Sequence, residues 1–186
     1  MLKYPMAFLI FIFIAFLFLI IFVFSSKKLS PIPYFPTNKK DIVLIIKALD
    51  LENSQTILDL GAGDGIVIFE AALKAKEKNL KTKFVAVEIN PILILLLYLR
   101  RFFHPNKKNI RIIRADFFIL NFKLITDYRS PITVYLYISP WFLEKVSKKI
   151  LKEFPKAKIV SYMYPIKSLK KKERIIRGKN SIFVYN

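Results

Sequence analysis

The sequence predicts an α/β domain, with a mostly parallel sheet covered by helices on both faces, preceded by a single transmembrane helix. Two observations predict the domain. Strand-length apolar runs alternate with helix-length stretches, and three of the four glycines in the chain, Gly61, Gly63 and Gly65, follow directly on the first run. A third observation predicts the helix: Met6 to Phe24 is an unbroken apolar run of 19 residues. That is about the length that spans a hydrocarbon core of roughly 30 Å.

Only Lys3 precedes this run, whereas Lys27, Lys28, Lys39 and Lys40 follow it. The run is too long for a typical signal peptide, and no A-x-A site precedes Ser25-Ser26, so it reads as a retained anchor. The basic flank places the following domain in the cytoplasm, as part of a single-pass membrane protein. The chain then divides into an anchor at 1–27, a connector at 28–37 and a domain at 38–186. Pro31, Pro33 and Pro36 forbid a continuous helix in the connector and impose an extended path.

The domain opens with a helix over Asn38 to Leu49, capped by Thr37 or Asn38, with Ile42, Ile45, Ile46 and Leu49 on one face. Buried strands are predicted at 56–60, 84–88, 110–114, 132–138 and 158–163, separated by helices near 65–78, 91–103 and 141–153. The tail, 173–177 and 181–185 about Gly178-Lys179-Asn180, reads as a terminal hairpin. This length makes one domain with a real core and is too short for two.

Composition narrows the chemistry. The absence of cysteine excludes disulfides and thiolate metal sites, and the single histidine, His104, leaves no metal cluster and reads as a surface residue. A net charge of +19 suits an anionic neighbour, either nucleic acid or the inner leaflet of the membrane. Solvated helix faces and a solvated loop at Lys167 to Lys172 account for the same lysines equally well.

The glycine run, Ile57-Leu58-Asp59-Leu60-Gly61-Ala62-Gly63-Asp64-Gly65, is a strand ending in an acid and turning through alternating glycines. Such a turn lets backbone approach a ligand where a side chain would collide. Dinucleotide sites use G-x-G-x-x-G, but here the spacing is G-x-G-x-G, Ile66 follows, and Asp59 would repel a pyrophosphate. A nucleoside fits better. Glu88 ends the strand Phe84 to Val87 and is placed to accept from two ribose hydroxyls. Asp116, after Arg111 to Ala115, is placed to meet an adenine amino group, with Phe117 against the ring face.

Asp-x-Gly-x-Gly-x-Gly, then Val87-Glu88-Ile89-Asn90, then Ala115-Asp116-Phe117 resembles the class I S-adenosylmethionine-dependent methyltransferases across residues 34 to 186. The resemblance implies a Rossmann-like sheet with one antiparallel terminal strand, and S-adenosylmethionine as cofactor without a metal. Pro33-Tyr34-Phe35-Pro36-Thr37, Ile159-Val160-Ser161-Tyr162 and the terminal Ile182-Phe183-Val184-Tyr185 narrow it. With them the chain is similar to the small protein-lysine methyltransferases of archaea and their membrane-anchored mitochondrial relatives.

By that resemblance Tyr34, Pro36 and Thr37 close over the cofactor. Asp59 and Gly61 hold its methionine end within the turn that Gly63 and Gly65 complete, Glu88 and Ile89 hold its ribose, and Asp116 and Phe117 its adenine. Tyr137, Ser139 and Trp141 line the acceptor channel as the catalytic group. The implied partners are a membrane-associated protein substrate and the bilayer, through the N-terminal helix. Ser139-Pro140-Trp141 is also similar to the Pro-aromatic motif of enzymes that methylate nucleobase amino groups, so a nucleic-acid acceptor is the alternative. A catalytically silent membrane-tethered module is a third reading, against which the three strand-end acids argue. Tyr135, Tyr162 and Tyr164 read as packing residues.

Overall fold

The computed structural model describes residues 5–25, 34–127 and 129–186. Its strands are β1 (Thr56–Leu60), β2 (Lys83–Glu88), β3 (Ile110–Arg114), β4 (Ile132–Leu136), β5 (Lys158–Tyr162), β6 (Glu173–Arg177) and β7 (Ser181–Tyr185). Its helices are α1 (Pro5–Ser25), α2 (Ile42–Leu49), α3 (Ile66–Glu77), α4 (Pro91–Phe103) and α5 (Pro140–Glu153). The strands form one sheet in the order β3-β2-β1-β4-β5-β7-β6. β1 to β5 pair in parallel, and β7 runs antiparallel to both β5 and β6. The chain steps outward from β1 to β3, then returns to place β4 on the other side of β1. This reversal opens a crevice at the carboxyl ends of β1 and β4.

Alternating side chains divide the core in two. Ile57, Phe84, Ile112 and Tyr135 pack with Ile45 and Leu49 of α2, Ile68 of α3 and Leu97 of α4. Leu58, Val85, Val134 and Leu136 pack on the opposite face with Phe122 and with Val146 and Ile150 of α5. The period of two in the strands thus puts helices on both faces, as the sequence predicts.

Element boundaries shift where local chemistry intervenes. The helix expected from Asn38 begins as a 3-10 turn, Lys39–Asp41, with Asn38 Oδ1 accepting from the Lys40 N–H at 3.0 Å. β4 stops at Leu136 rather than 138, and β5 at Tyr162, because Met163 takes a left-handed φ of 73°. Lys167–Lys172, expected as a loop, forms a 3-10 helix. His104 is not a simple surface residue. It is half-buried, its Nδ1 accepts from the Asn106 N–H, and its Nε2–H therefore donates to the Phe69 carbonyl at 3.0 Å. Burial lowers its pKa and favours that neutral form.

Two contacts fix the parts that frame the crevice. Gly65 ends the glycine turn at φ +76°, and a Cβ there would sit against Leu97 and 2.7 Å from the Phe69 ring. Replacing Gly65 with valine is expected to cost about 3 kcal/mol from left-handed strain and overpacking, read by chemical denaturation. Asp41, at the start of α2, accepts from the N–H groups of Lys179 and Asn180 and from the Tyr162 hydroxyl, the last at 2.8 Å. It locks the β6–β7 turn onto α2.

Burial alone would raise the Asp41 pKa, but these hydrogen bonds outweigh it and hold the carboxyl below its ordinary value. Its stabilisation is therefore complete above the unfolded pKa and is lost as pH falls through the lower folded one. Asp41→Ala is expected to destabilise the domain by about 3 kcal/mol, since four donors, the Asn180 side-chain amide included, lose a buried acceptor. Its denaturation midpoint should also fall less on acidification than that of the wild type.

α1 contains 21 residues, and each of its side chains described, 6–19, is exposed. No helix within the described residues is long and apolar enough to cross a membrane. The described side chains of α1 stop at residue 19, whereas its backbone helix continues to Ser25. Most of the connector, 28–33, lies outside the described residues.

Candidate active site

The glycine turn hangs from the end of β2. The N–H groups of Gly61 and Ala62 donate to the Val87 carbonyl at 2.9 and 3.0 Å, and Gly65 N–H closes onto the Ala62 carbonyl. Gly61, Gly63 and Gly65 all have positive φ. Glu88 accepts at one oxygen from Gly63 N–H at 2.8 Å and at the other from the N–H groups of Ile89 and Asn90. It is buried, yet each oxygen keeps acceptor capacity toward the cleft. β3 delivers Asp116, whose Oδ1 accepts from Phe118 N–H at 2.8 Å, and Phe117, whose ring lies beside Gly61.

These groups surround a cleft of about 760 Å³, counting its open mouth, at the carboxyl ends of the strands. Tyr34, Thr37, Asp59, Gly61, Gly63, Glu88, Ile89, Asp116, Phe117 and Tyr137 all line it. Tyr34 roofs the turn: a Cβ on Gly63 would lie 2.8 Å from its ring. Gly65 does not line the cleft, and serves instead to start α3 in close contact with α4. Pro36 is exposed and also lies outside the lining.

The acceptor side departs from the sequence reading. Tyr137 faces the cleft, with its ring edge-on to Tyr162 at 4.9 Å between centroids. Ser139 and Trp141 do not line it. Pro140 begins α5, so Leu143 and Val146 turn to the sheet while Trp141, in the first turn, is left 87% exposed.

Among the lining residues outside the predicted site set, three bear on its chemistry. Tyr135, read from the sequence as a packing residue in preference to an acceptor-cage aromatic, is 3% exposed, and its hydroxyl faces the Thr37 side chain without a hydrogen bond of good geometry among the described residues. It pairs across the sheet with Asp59, and burial followed by that carboxylate keeps the phenol protonated. Period two gave the signal, since Tyr137, one residue past the end of β4, packs on the same side of the sheet as Tyr135. Asp64, within the glycine turn, forms an ion pair with Arg100 of α4 at 3.0 Å. Nothing in the sequence pairs two residues so far apart. Phe118 adds a third ring beside Phe117, at 4.6 Å.

The cleft is electrostatically negative. Asp59 is 3% exposed, and its charged neighbours are the carboxylates of Glu88 and Asp64. Burial, then Glu88 and then Asp64, push its pKa up to about 8. A site lined by four acids, one of them held by Arg100, with a buried tyrosine hydroxyl and an aromatic wall suits a ligand that carries positive charge, hydroxyls and a flat ring. It does not suit a phosphate. The described residues contain no group of acids and histidines that would hold a metal ion.

No family model and no curated protein matches this sequence. Solved structures do match its fold. An RNA methyltransferase from Salinibacter ruber, in complex with S-adenosyl-L-homocysteine, aligns at TM-score 0.63 and 17% identity over 81% of this chain and 92% of its own. The 23S rRNA methyltransferase ErmE aligns at 0.60 and 17% over 81% and 68%. A precorrin-6y C5,15-methyltransferase from Geobacter metallireducens aligns at 0.57 and 16% over 86% and 91%. The strand order, the antiparallel β7 and the crevice beside β1 thus give this chain the Rossmann-like fold found in these methyltransferases.

Proposed function

We propose that the chain is an S-adenosylmethionine-dependent methyltransferase. The observation that carries this reading is the single cleft in which Asp59, Glu88, Asp116 and Phe117 converge around Gly61 and Gly63. In this reading Asp59 and Tyr135 meet the amino-acid end of the cofactor, Glu88 accepts from its ribose, and Asp116 with Phe117 takes its adenine. When bound, S-adenosylmethionine supplies an electrophilic methyl group. The protein's own task is to align an acceptor lone pair with that methyl and to exclude water. Tyr137 and Phe118 also line the cleft. Burial, then Tyr164, raise the Tyr137 pKa, so its phenol stays neutral and able to hydrogen-bond an acceptor.

The proposed acceptor is a lysine of a membrane-associated protein. Its support is the resemblance along Tyr34 to Thr37 and the strand ends, together with α1. No helix is long enough on its described residues alone, but the apolar run of the sequence, Met6 to Phe24, has 19 residues and no charge, and at about 1.5 Å per residue that approaches a hydrocarbon core of roughly 30 Å. We read it as a single-pass anchor that holds the domain on the cytoplasmic side. The cleft mouth offers no dedicated base, so the ammonium would lose its proton to water on desolvation.

A second acceptor, a nucleobase amine, is favoured by the fold neighbours, two of which are named as RNA methyltransferases. The withdrawal of Ser139 and Trp141 from the cleft removes the motif that suggested it from sequence. Full-length protein in vesicles, given methyl-labelled cofactor, separates the two. Label in membrane protein supports the lysine reading, label in RNA replaces it with the second, and no transfer to either overturns both.

A further inference from the structure

α4 shows a face that the fold leaves uncovered. Leu95, Leu99 and Phe102 recur at one-turn spacing and are 69, 58 and 67% exposed, and Tyr98 and Phe103 beside them are 50 and 76% exposed. A helix burying one stripe against a sheet normally turns charge outward. Here the inner stripe, Leu93, Ile94 and Leu97, is apolar, and the outer stripe is apolar too. Large side chains exposed contiguously mark a surface that meets another phase or partner.

The surrounding charge identifies the occupant. From Pro91 to Ala115 the chain contains no acid, while Arg100, Arg101, Lys107, Lys108, Arg111 and Arg114 are all basic. Lys107 lies over the Phe102 ring, 5.4 Å from its centroid. An apolar stripe followed along the chain by cations and free of acids, with one lysine folded over its Phe102, is the pattern of a helix lying in the headgroup boundary of an anionic bilayer.

The covalent path agrees. Ser25 ends α1 and Tyr34 opens the domain, so nine Cα steps, at most about 30 Å, separate them. Tyr34 lies on Gly63, next to the Asp64–Arg100 ion pair, so the chain enters the domain beside α4. A tether of that reach gives the face a high effective concentration at the surface that α1 occupies.

We propose that the outer face of α4 docks on an anionic phospholipid surface, with Leu95, Leu99 and Phe102 entering the acyl boundary and the flanking cations meeting lipid phosphates. This contact is separate from the anchor, although it rests on the membrane placement proposed above. It fixes the domain's orientation, with the mouth beneath Tyr34 turned toward substrates near the bilayer.

The absence of cysteine makes a direct test simple. Full-length Leu99→Cys, carrying an environment-sensitive fluorophore, is reconstituted into vesicles of phosphatidylcholine with and without phosphatidylglycerol. The control is Ile119→Cys, 83% exposed and next to residues that pack on the opposite face of the sheet. Flotation with the vesicles tests the anchor by itself.

For floated protein, shallow lipid-borne quenchers are expected to lower Leu99→Cys emission roughly twofold or more in the anionic vesicles and to leave Ile119→Cys unchanged. Water-like emission from Leu99→Cys in floated protein overturns the proposal and leaves the anchor standing. Shielding of Leu99→Cys that persists in detergent also overturns it, assigning the face to α1 or, if concentration-dependent, to a second copy of the chain.

Discussion

Glu88→Ala is expected to weaken S-adenosylhomocysteine binding by about a hundredfold or more. The two carboxylate oxygens are already oriented by the backbone, one by the N–H of Gly63 and the other by those of Ile89 and Asn90. Two ribose hydroxyls would each donate a charge-assisted hydrogen bond worth about 1.5–3 kcal/mol, and alanine removes both. The same change leaves three N–H groups without their acceptor and loosens the turn that carries Gly63. Titration calorimetry of wild type and variant reads the loss, and a denaturation curve of each separates it from unfolding. A change below about tenfold, less than one such bond, would take Glu88 out of the ribose site.

The second large effect is a pH dependence. With its pKa pushed up to about 8, Asp59 is protonated in the empty cleft at neutral pH. Pairing with the cofactor's ammonium requires the carboxylate, so binding must expel that proton. Affinity should therefore rise about tenfold per pH unit from pH 6 toward 8, because each unit of pKa difference corresponds to about 1.4 kcal/mol, and level off above.

Stability of the empty protein moves the other way. Between the ordinary carboxylate value near 4 and the folded value, the folded state holds a proton that the unfolded chain has released. Stability is thus greatest at the acid end of that window and declines as pH rises through it. Asp59→Asn should flatten both profiles. Calorimetry across buffers of different ionisation enthalpy measures the released proton, and a pH-independent affinity would remove Asp59 from the ammonium.

Much of the cleft was legible because its residues sit at strand ends, where period and punctuation are strongest. Asp59 and Glu88 lie at the ends of buried strands and Asp116 two residues past a third, and the positive φ of Gly61 and Gly63 is what clustered glycines in an otherwise glycine-poor chain announce. The acceptor side was less legible. Ser139-Pro140-Trp141 looks like a binding motif, yet the same residues are a helix start, and helix geometry decides where Trp141 points. Residues joined only through tertiary structure left no trace. Arg100 reaches Asp64 from another helix, and Asp41 ties α2 to a turn near the carboxyl terminus. Tyr135 was visible as a core residue, but its unpartnered hydroxyl depends on what surrounds it in space.

The most direct test of the account is titration of the full-length chain with S-adenosylhomocysteine, with NADH in parallel. The acid-lined cleft predicts saturable binding of S-adenosylhomocysteine that is lost in Glu88→Ala, and no binding of the dinucleotide. Binding of NADH in its place, or of neither ligand by a folded protein, would contradict it.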